Sequence, residues 1–182
     1  MAHSDPTRTT PERSALIIIV MGVSGCGKST VTRHIAKAIG AFEQDADELH
    51  PPANIEKMAA GIALTDADRK PWLEDVARFA AAAASTHGVC VIACSALKRK
   101  YRSTLSGAGN VVYIYLNGTY ELISKRMLKR SGHFMPEQLL ASQFAALEDP
   151  SSEPNVLCVG IEVNPEQVAA DAVGLLRQHH YL

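Results

Sequence analysis

The chain has 182 residues, of which 47% are apolar and 20% charged, and its formal net charge at pH 7 is −1. This length and composition predict one globular domain with a complete core. The near-neutral charge argues against a nucleic-acid-binding surface, and no apolar run approaches the ~20 residues that cross a bilayer. The four cysteines form no CxxC pair and have no metal-ligand spacing, so we expect a reducing, cytoplasmic environment.

The first 14 residues are polar, contain two prolines and lack the apolar segment of a signal peptide. We therefore expect a disordered leader at 1–14 and a single domain at 15–182. The domain opens with Leu16–Met21, an unbroken apolar run typical of a strand that is buried on both faces. After a glycine-rich loop, apolar residues recur at helical spacing, which predicts a helix at about 28–39.

The loop between this strand and this helix fits the phosphate-binding motif G-x-x-x-x-G-K-[ST]. Glycines let successive backbone N–H groups turn inward around phosphate oxygens, and the helix adds the positive end of its dipole. The lysine of such a loop reaches the β- and γ-phosphates, and the serine hydroxyl binds magnesium. A glycine-rich turn that binds nothing is the alternative, but strand, loop and helix stand in the order that a nucleotide site requires. The predicted phosphate-binding residues are Gly22, Val23, Ser24, Gly25, Cys26, Gly27, Lys28, Ser29 and Thr30.

The rest of the chain alternates strands and helices. A short second strand is expected to end near Gln44, and a short helix at Asn54–Ala60 precedes a long helix that Gly88 ends. Further strands are predicted at Val89–Cys94, Val111–Leu116 and Val156–Gly160, and further helices at Tyr120–Arg130, after Pro136 and at Pro165–His180. This alternation predicts a three-layer α/β sandwich built on a parallel sheet.

Two carboxylates, Asp45 and Asp47, follow the second strand, at the edge of a parallel sheet where ligands bind. Residues at i and i+2 of an extended segment face the same way. Opposite a triphosphate, one carboxylate can hold magnesium-bound water while the other accepts a proton from an attacking hydroxyl. A solvated acidic loop is the alternative. No predicted strand ends in a lone aspartate, which makes Asp45 the best carboxylate for the magnesium side.

Arg126 and Arg130 lie four residues apart and therefore project from one face of a basic helix. Phosphoryl transfer spreads negative charge over the γ-phosphoryl oxygens, and a mobile arginine pair can neutralise it. Gly132 gives the following loop freedom to open and close, so we expect a lid at about 126–136. An exposed arginine pair without a catalytic role is the alternative.

A further group of polar residues is expected to contact the phosphate acceptor. Ser95, Lys98 and Arg102 follow the third strand at the ligand-binding edge of the sheet, and Lys98 and Arg102 are one helical turn apart. His50 and Arg69 lie between the second and third strands, where folds of this kind recognise the acceptor, in a segment at about 45–73. For each of the five, a surface or structural role is the alternative.

Several blocks, in this order and spacing, together resemble the gluconokinase family. Besides the phosphate loop they are Asp45-Ala-Asp-Glu-Leu-His50, Asn54-Ile-Glu-Lys-Met58, Asp66-Ala-Asp-Arg-Lys-Pro-Trp-Leu73, Cys94-Ser-Ala-Leu-Lys98 with Tyr101-Arg102, and Arg130-Ser-Gly-His-Phe134 with Gln143-Phe144. The resemblance covers residues 16 to 150. It implies a P-loop NTPase fold of the nucleoside-monophosphate-kinase-like type. It also implies a kinase, commonly a homodimer, that uses ATP to phosphorylate the 6-hydroxyl of gluconate.

The resemblance also implies roles for the candidate residues. ATP with Mg²⁺ would lie on the phosphate loop, with Ser29 on the metal and Asp45 in its water shell. Asp47 would orient the terminal hydroxyl of gluconate and accept its proton. The transferring phosphoryl group would be stabilised by Lys28, Arg126 and Arg130, and the carboxylate of gluconate by Arg69, Lys98 or Arg102.

One position departs from the family pattern, which often reads Asp-Gly-Asp where this chain has Ala46 between the two aspartates. Alanine excludes backbone conformations that glycine allows. Two alternative functions stay open: a sister kinase acting on shikimate, a nucleotide or another sugar acid, and a regulatory nucleotide switch. The switch is disfavoured because the chain has no N-K-x-D motif.

Overall fold

The computed structural model describes residues 15–129 and 137–182. Within them the strands are β1 (Leu16–Met21), β2 (Phe42–Asp45), β3 (Val89–Ala93), β4 (Asn110–Asn117) and β5 (Val156–Gly160). The helices are α1 (Lys28–Ile39), α2 (Pro52–Ala59), α3 (Asp66–His87), α4 (Arg99–Ser106), α5 (Tyr120–Lys129), α6 (Glu137–Ala146) and α7 (Pro165–Gln178). A short 3₁₀ helix at Ala46–Leu49 follows β2. The predicted leader at 1–14 and most of the predicted lid lie outside the described residues.

The strands form one parallel sheet in the order β2-β3-β1-β4-β5. Strand β1 is central, and Leu16 pairs with Val89 of β3 on one side and with Asn110 of β4 on the other. Its central position explains its unbroken apolar run, because all six of its residues are buried. The phosphate loop therefore leaves the middle of the sheet at its carboxyl edge.

Alternate residues of β1 serve opposite faces of this sheet. Ile18 packs in a cluster that includes residues of α1 and α7, whereas Ile19 packs in a second cluster with residues of α3 and α4. Side chains therefore fill two cores, one on each face. The predicted three-layer α/β sandwich with a parallel sheet is confirmed.

Local signals fix the helix ends. Helix α3 begins with a capping box in which the Thr65 hydroxyl accepts the Asp68 N–H at 3.2 Å and the Asp68 carboxylate accepts the Thr65 N–H at 2.9 Å. Helix α2 begins at Pro52, two residues before the predicted start, because the fixed φ and missing N–H of proline suit the first turn of a helix. None of the helices formed by residues 15–129 and 137–182 could span a membrane.

Candidate active site

The phosphate loop connects β1 to α1 and contains three glycines with positive φ, Gly22, Gly25 and Gly27. Gly27 has a φ of 104° at the N-cap of α1, and the Val31 N–H donates to the Gly27 carbonyl at 3.0 Å to begin the helix. Gly25 has a φ of +81°, and a Cβ at that position would lie 2.7 Å from Met127 Sδ of α5. The loop borders a cleft of about 220 Å³, called here the phosphate cleft. It is lined by Ser24, Gly25, Gly27, Lys28, Ser29, Thr30, Asp45, Asp47, Ala93, Cys94 and Ser95.

Three groups of the phosphate loop have defined partners or surroundings within the protein. Lys28 Nζ donates to the Val23 carbonyl at 3.2 Å, which keeps the ammonium folded against the loop. The Ser24 N–H donates to Gln143 Oε1 of α6 at 2.5 Å, so a helix distant in sequence supports the loop. Cys26 is 2% exposed, and burial raises the pKa of its thiol. The thiol therefore stays protonated and packs in the core.

Asp45, the last residue of β2, is held by both of its carboxylate oxygens. Oδ2 accepts the Ser29 hydroxyl at 2.7 Å, and Oδ1 accepts the backbone N–H of Asp47 at 3.1 Å. A hydroxyl and a carboxylate are the hard oxygen ligands that Mg²⁺ prefers, and Mg²⁺ is commonly held by one or two protein groups together with substrate phosphates and water. The adjacency of Ser29 and Asp45 beside the phosphate loop therefore fits this metal.

Asp47 lies in the 3₁₀ helix and not on an extended segment, because the Asp45 carboxylate caps this turn. The expectation of an extended segment is thus corrected, yet both carboxylates line the phosphate cleft. Partial desolvation in the cleft and the nearby Asp45 carboxylate raise the pKa of Asp47, although its side chain is 77% exposed. A carboxylate that is open to a ligand and has a raised pKa is suited to accept a proton.

His50 does not line the phosphate cleft. Its side chain is only 5% exposed, and its ring stacks on Trp72 of α3, with the ring centroids 4.0 Å apart and the planes 17° apart. Trp72 also donates its indole N–H to the Ala46 carbonyl at 2.9 Å, which anchors the turn between the two aspartates. His50 Nε2 lies 3.9 Å from Asp47 Oδ1. The ring of His50, expected from the sequence to contact the substrate, therefore lies beside Asp47 and behind the cleft lining.

Three cationic side chains surround the ring of Tyr101, and we call them the cationic cluster. Lys98 Nζ lies 5.7 Å from the ring centroid, and Lys100 Nζ and Arg69 Cζ each lie 6.0 Å from it. Asp66 accepts hydrogen bonds from Lys100 at 2.6 Å, from the Tyr101 hydroxyl, and from Lys98 at 3.1 Å. These bonds hold the pKa of Asp66 well below its usual range. The cluster therefore concentrates positive charge, and the Asp66 carboxylate neutralises part of it.

Arg102 is a structural residue, contrary to the expectation that it clamps an anionic substrate. Arg102 is 2% exposed, and all five N–H donors of its guanidinium are used within the protein. Two go to the Glu153 carboxylate at 2.9 and 2.6 Å, and three go to backbone carbonyls of Ala96, Leu97 and Glu148 at 2.8, 3.0 and 3.1 Å. Ala96 has a φ of +47°, so Arg102 holds a strained turn between β3 and α4. No donor of its guanidinium remains for a ligand.

Arg126 also lies elsewhere than the sequence suggested. Its guanidinium donates to the carbonyls of Ile161 and Val163, in the loop between β5 and α7. It borders a second cleft of about 260 Å³, called here the outer cleft, and it is not among the residues that line the phosphate cleft. The outer cleft is lined by Gly25, Cys26, Gly27, Thr30, Val31, Arg126, Lys129, Ile161, Val163, Asn164, Pro165 and Val168. Arg130, the other predicted arginine, lies outside the described residues.

Sequence reasoning gave no role to several residues that shape the site. Asn54, Asp66 and Glu153 each bond a candidate residue, and Glu153 lies 51 positions from its partner. Only Asn54 carried a local signal, because it stands four residues after His50 near the start of a helix. The other two pairings depend on which elements meet in space.

Comparison with known proteins finds kinases that are similar to this chain in sequence and in structure. The family model described as shikimate kinase matches residues 24–143. The thermoresistant gluconokinase of Escherichia coli K12 is 43% identical over 164 residues, covering 89% of this chain and 94% of that protein. The crystal structure of a gluconokinase from Sinorhizobium meliloti 1021 superposes with a TM-score of 0.82 at 40% identity, covering 92% of this chain and 96% of that one. A shikimate kinase from Acinetobacter baumannii in complex with shikimate has a TM-score of 0.59 at 20% identity, which shows a shared fold.

The fold, the phosphate loop and these relatives define a P-loop kinase of the nucleoside-monophosphate-kinase-like type, an enzyme that uses ATP. A regulatory switch is therefore not supported. The relatives named as gluconokinases share 40% and 43% identity with the chain and cover about nine tenths of it. The chain belongs to the gluconokinase family.

Proposed function

We propose that this protein transfers the γ-phosphoryl group of ATP to the 6-hydroxyl of D-gluconate, giving 6-phospho-D-gluconate. The observation that carries the proposal is the position of Asp47, whose exposed carboxylate shares one cleft with Lys28 and Ser29 of the phosphate loop. A hydroxyl that enters this cleft meets a proton acceptor beside the site of the triphosphate. The gluconokinase relatives supply the choice of acceptor.

The residues of the phosphate loop bind and align the triphosphate. Backbone N–H groups of the loop and the N-terminus of α1 bind phosphate oxygens, and the Lys28 ammonium neutralises charge that develops on the transferring group. The Ser29 hydroxyl and the Asp45 carboxylate, 2.7 Å apart, would hold Mg²⁺ directly or through water. When bound, this ion neutralises charge on the β- and γ-phosphate oxygens.

Asp47 orients the acceptor hydroxyl and takes its proton. Partial desolvation and the Asp45 carboxylate raise the pKa of Asp47, which makes its carboxylate a stronger proton acceptor than an ordinary aspartate. A loose phosphoryl-transfer transition state needs little help from a base, so positioning is the larger share of this role.

The cationic cluster is suited to the carboxylate end of gluconate. Arg69, Lys98 and Lys100 supply positive charge around Tyr101, and Asp66 balances part of it. A substrate carboxylate can pair with the same cations, and such charge-assisted hydrogen bonds are among the strongest that proteins make. We therefore expect the cluster to favour sugar acids over neutral sugars.

Replacing Lys98 with Met is expected to raise the KM for gluconate by about 10- to 100-fold, because one hydrogen bond between charged groups is lost. The KM for ATP should stay nearly unchanged. Steady-state ADP release with each substrate varied in turn measures both constants. Lys125→Met, which removes an exposed charge from α5, is the matched control. An equal rise in both KM values would contradict a carboxylate contact.

The outer cleft is suited to the base of ATP. It shares Gly25, Gly27 and Thr30 with the phosphate cleft, so a nucleotide on the loop can extend into it. The Arg126 guanidinium at its edge is a planar cation, and such groups stack on aromatic rings. We therefore assign Arg126 to the nucleotide base, in place of the catalytic role suggested by the sequence.

Replacing Arg126 with Met should raise the KM for ATP by about 10-fold with little change in kcat, because a stacking contact binds the substrate and the transition state equally. The same rate assay, with ATP varied at saturating gluconate, gives both constants. A fall in kcat at an unchanged KM would instead support the transition-state role, and Lys125→Met again reports the effect of charge alone.

The proposal also covers the oligomeric state and the cellular location of the protein. We propose a homodimer that works in the cytoplasm, on the resemblance to gluconokinases. All four cysteines are free thiols in the structure, which suits a reducing compartment. Sedimentation of the purified protein tests the dimer.

The decisive experiment measures ADP release by the purified protein with ATP and Mg²⁺ across several acceptors. Gluconate, other sugar acids, shikimate and nucleoside monophosphates are compared at equal concentration. Strong stimulation by gluconate alone supports the proposal. Stimulation by shikimate alone would favour the second candidate, to which the match with the shikimate kinase model points. Either result retains the phosphoryl-transfer chemistry of the phosphate cleft.

A further inference from the structure

We propose that His50 is a positioning residue for Asp47, that it acts as a neutral imidazole with its proton on Nε2, and that Asn54 selects this tautomer. The inference rests on the proposed function, because it concerns the carboxylate that receives the acceptor hydroxyl. It is carried by four groups in contact: the Asp68 carbonyl, the Asn54 amide, the His50 ring and the Asp47 carboxylate.

The orientation of the Asn54 amide follows from its surroundings. Asn54 is 3% exposed, and one end of its amide lies 3.1 Å from the backbone carbonyl of Asp68. A carbonyl oxygen can only accept, so the end that faces it must be the NH₂ group. The same nitrogen lies 3.3 Å from His50 Nδ1. Its two N–H bonds can therefore serve the Asp68 carbonyl and the imidazole together.

This arrangement determines the protonation of the imidazole. Because Asn54 Nδ2 donates to His50 Nδ1, Nδ1 must present its lone pair and carry no proton. The proton of a neutral imidazole is then on Nε2, and Nε2 is the atom that lies 3.9 Å from Asp47 Oδ1. A small adjustment of the exposed Asp47 side chain would close this distance to a hydrogen bond, as is common when a substrate enters a catalytic site.

The environment of His50 favours the neutral form. Burial lowers its pKa, and the Arg69 guanidinium lowers it further, while the Asp47 carboxylate opposes both effects. These are the charged groups that face the ring, whose other neighbours are the Trp72 indole and the Asn54 amide. Above the ordinary pKa of about 6.5, His50 therefore donates from Nε2 without adding positive charge. It can orient Asp47 and still leave that carboxylate basic.

Trp72 keeps the ring in place. The indole stacks on the imidazole at 4.0 Å and donates its N–H to Ala46, so one side chain fixes both His50 and the turn that carries Asp47. The ring therefore has a defined plane as well as a defined tautomer. Positioning of this kind is needed because a reacting group displaced by about 1 Å can lose about 10²-fold in rate.

The tautomer can be measured directly on the unaltered protein. Two-bond ¹H–¹⁵N correlation spectra of the imidazole rings distinguish protonated from unprotonated nitrogens, and the His50→Gln variant identifies the His50 signals. We expect an unprotonated Nδ1 and a protonated Nε2 at neutral pH. A protonated Nδ1 would overturn the proposal. This readout needs no substrate, so it stands apart from the acceptor assay, whose failure with gluconate would count against the proposed function alone.

Variants test the effect on the reaction. His50→Phe keeps an aromatic ring against Trp72 but removes the donor, and kcat should fall by about 10- to 100-fold with little change in the KM for ATP. His50→Gln can return a donor near the position of Nε2 and should recover part of kcat. Equal losses in the two variants, or no loss in either, would contradict a positioning role and leave His50 as a packing residue.

The pH profile of Asn54→Asp provides a second test. A carboxylate at this position would accept a proton from Nδ1, so the variant should need the imidazolium to keep a donor on Nε2. In this variant the new carboxylate should raise the pKa of His50. The kcat of the variant should then fall as the pH rises through that pKa, in a range where the unaltered enzyme keeps a constant kcat. A uniform loss at every pH would show that Asn54 is only structural and would overturn its assigned role.

Discussion

Replacing Asp47 with Asn should lower kcat for gluconate phosphorylation by about 10²-fold, the low end of the range for loss of a general base, because a loose transition state depends more on positioning than on proton removal. The amide has nearly the same shape as the carboxylate but cannot take the proton of the acceptor hydroxyl. The dissociation constant of ATP should change little, because the proposed ligands of the nucleotide's metal ion are Ser29 and Asp45 and not Asp47. Rates of ADP release and calorimetric titration with ATP measure the two quantities separately.

The pH dependence gives an independent check of this result. Because Asp47 must be ionised to act, kcat of the unaltered enzyme should fall as the pH decreases through the raised pKa of this group. The Asp47→Asn variant should lack that acidic limb. Glu48→Gln, which neutralises a carboxylate in the same 3₁₀ helix, is the matched control. Equal losses of kcat and of ATP affinity would mean that Asp47 acts on the nucleotide.

Replacing Arg102 with Met is expected to lower the free energy of unfolding by about 3–5 kcal/mol, because a buried ion pair loses one partner. For a protein of this size the midpoint of thermal unfolding should fall on the order of 10 °C. In the variant, Glu153 would keep its ion pair with Arg99, at 3.4 Å. The Arg99 side chain is 69% exposed, so this pair is weaker than the buried one. The carbonyls of Ala96 and Leu97, after β3, and of Glu148, after α6, would also lose the hydrogen bonds from Arg102.

The dependence of this loss on pH separates charge from packing. In the intact protein, hydrogen bonds from Arg102 lower the pKa of Glu153, so the pair stabilises the fold above the ordinary glutamate pKa and loses that effect as the pH falls. The deficit of Arg102→Met should therefore shrink in acid. The double variant Arg102→Met with Glu153→Gln should recover part of the stability at neutral pH. Unchanged stability in the single variant would refute the structural role of Arg102.

The parts of the fold that the sequence predicted depend on local patterns. The apolar run of β1, the phosphate loop and the start of α1 are adjacent in the chain, so their geometry follows from their own residues. Likewise Asp45 and Asp47 were expected at the carboxyl end of β2, and both line the phosphate cleft.

The side-chain placements that differ from expectation depend on contacts between distant segments. Arg102 was expected to bind an anionic group of the acceptor because nothing local reveals its partner Glu153, which lies 51 positions away, beyond any helical spacing. His50 looked available to a substrate because nothing local shows that Trp72 of α3 covers it. The direction of Arg126 is set by carbonyls of the loop after β5. In each case the residue type was read correctly as polar, but its partner was decided by the packing of helices onto the sheet.

The alanine between the two aspartates has a consequence for the unfolded chain. Ala46 is completely buried, and it is not among the residues other than glycine with positive φ in the described parts of the chain. Its conformation is therefore one that alanine adopts without strain. Alanine has fewer accessible backbone states than glycine before folding, so less conformational entropy is lost when the turn forms, a difference of about 0.4–1 kcal/mol. The departure from Asp-Gly-Asp thus favours an ordered turn before any ligand arrives.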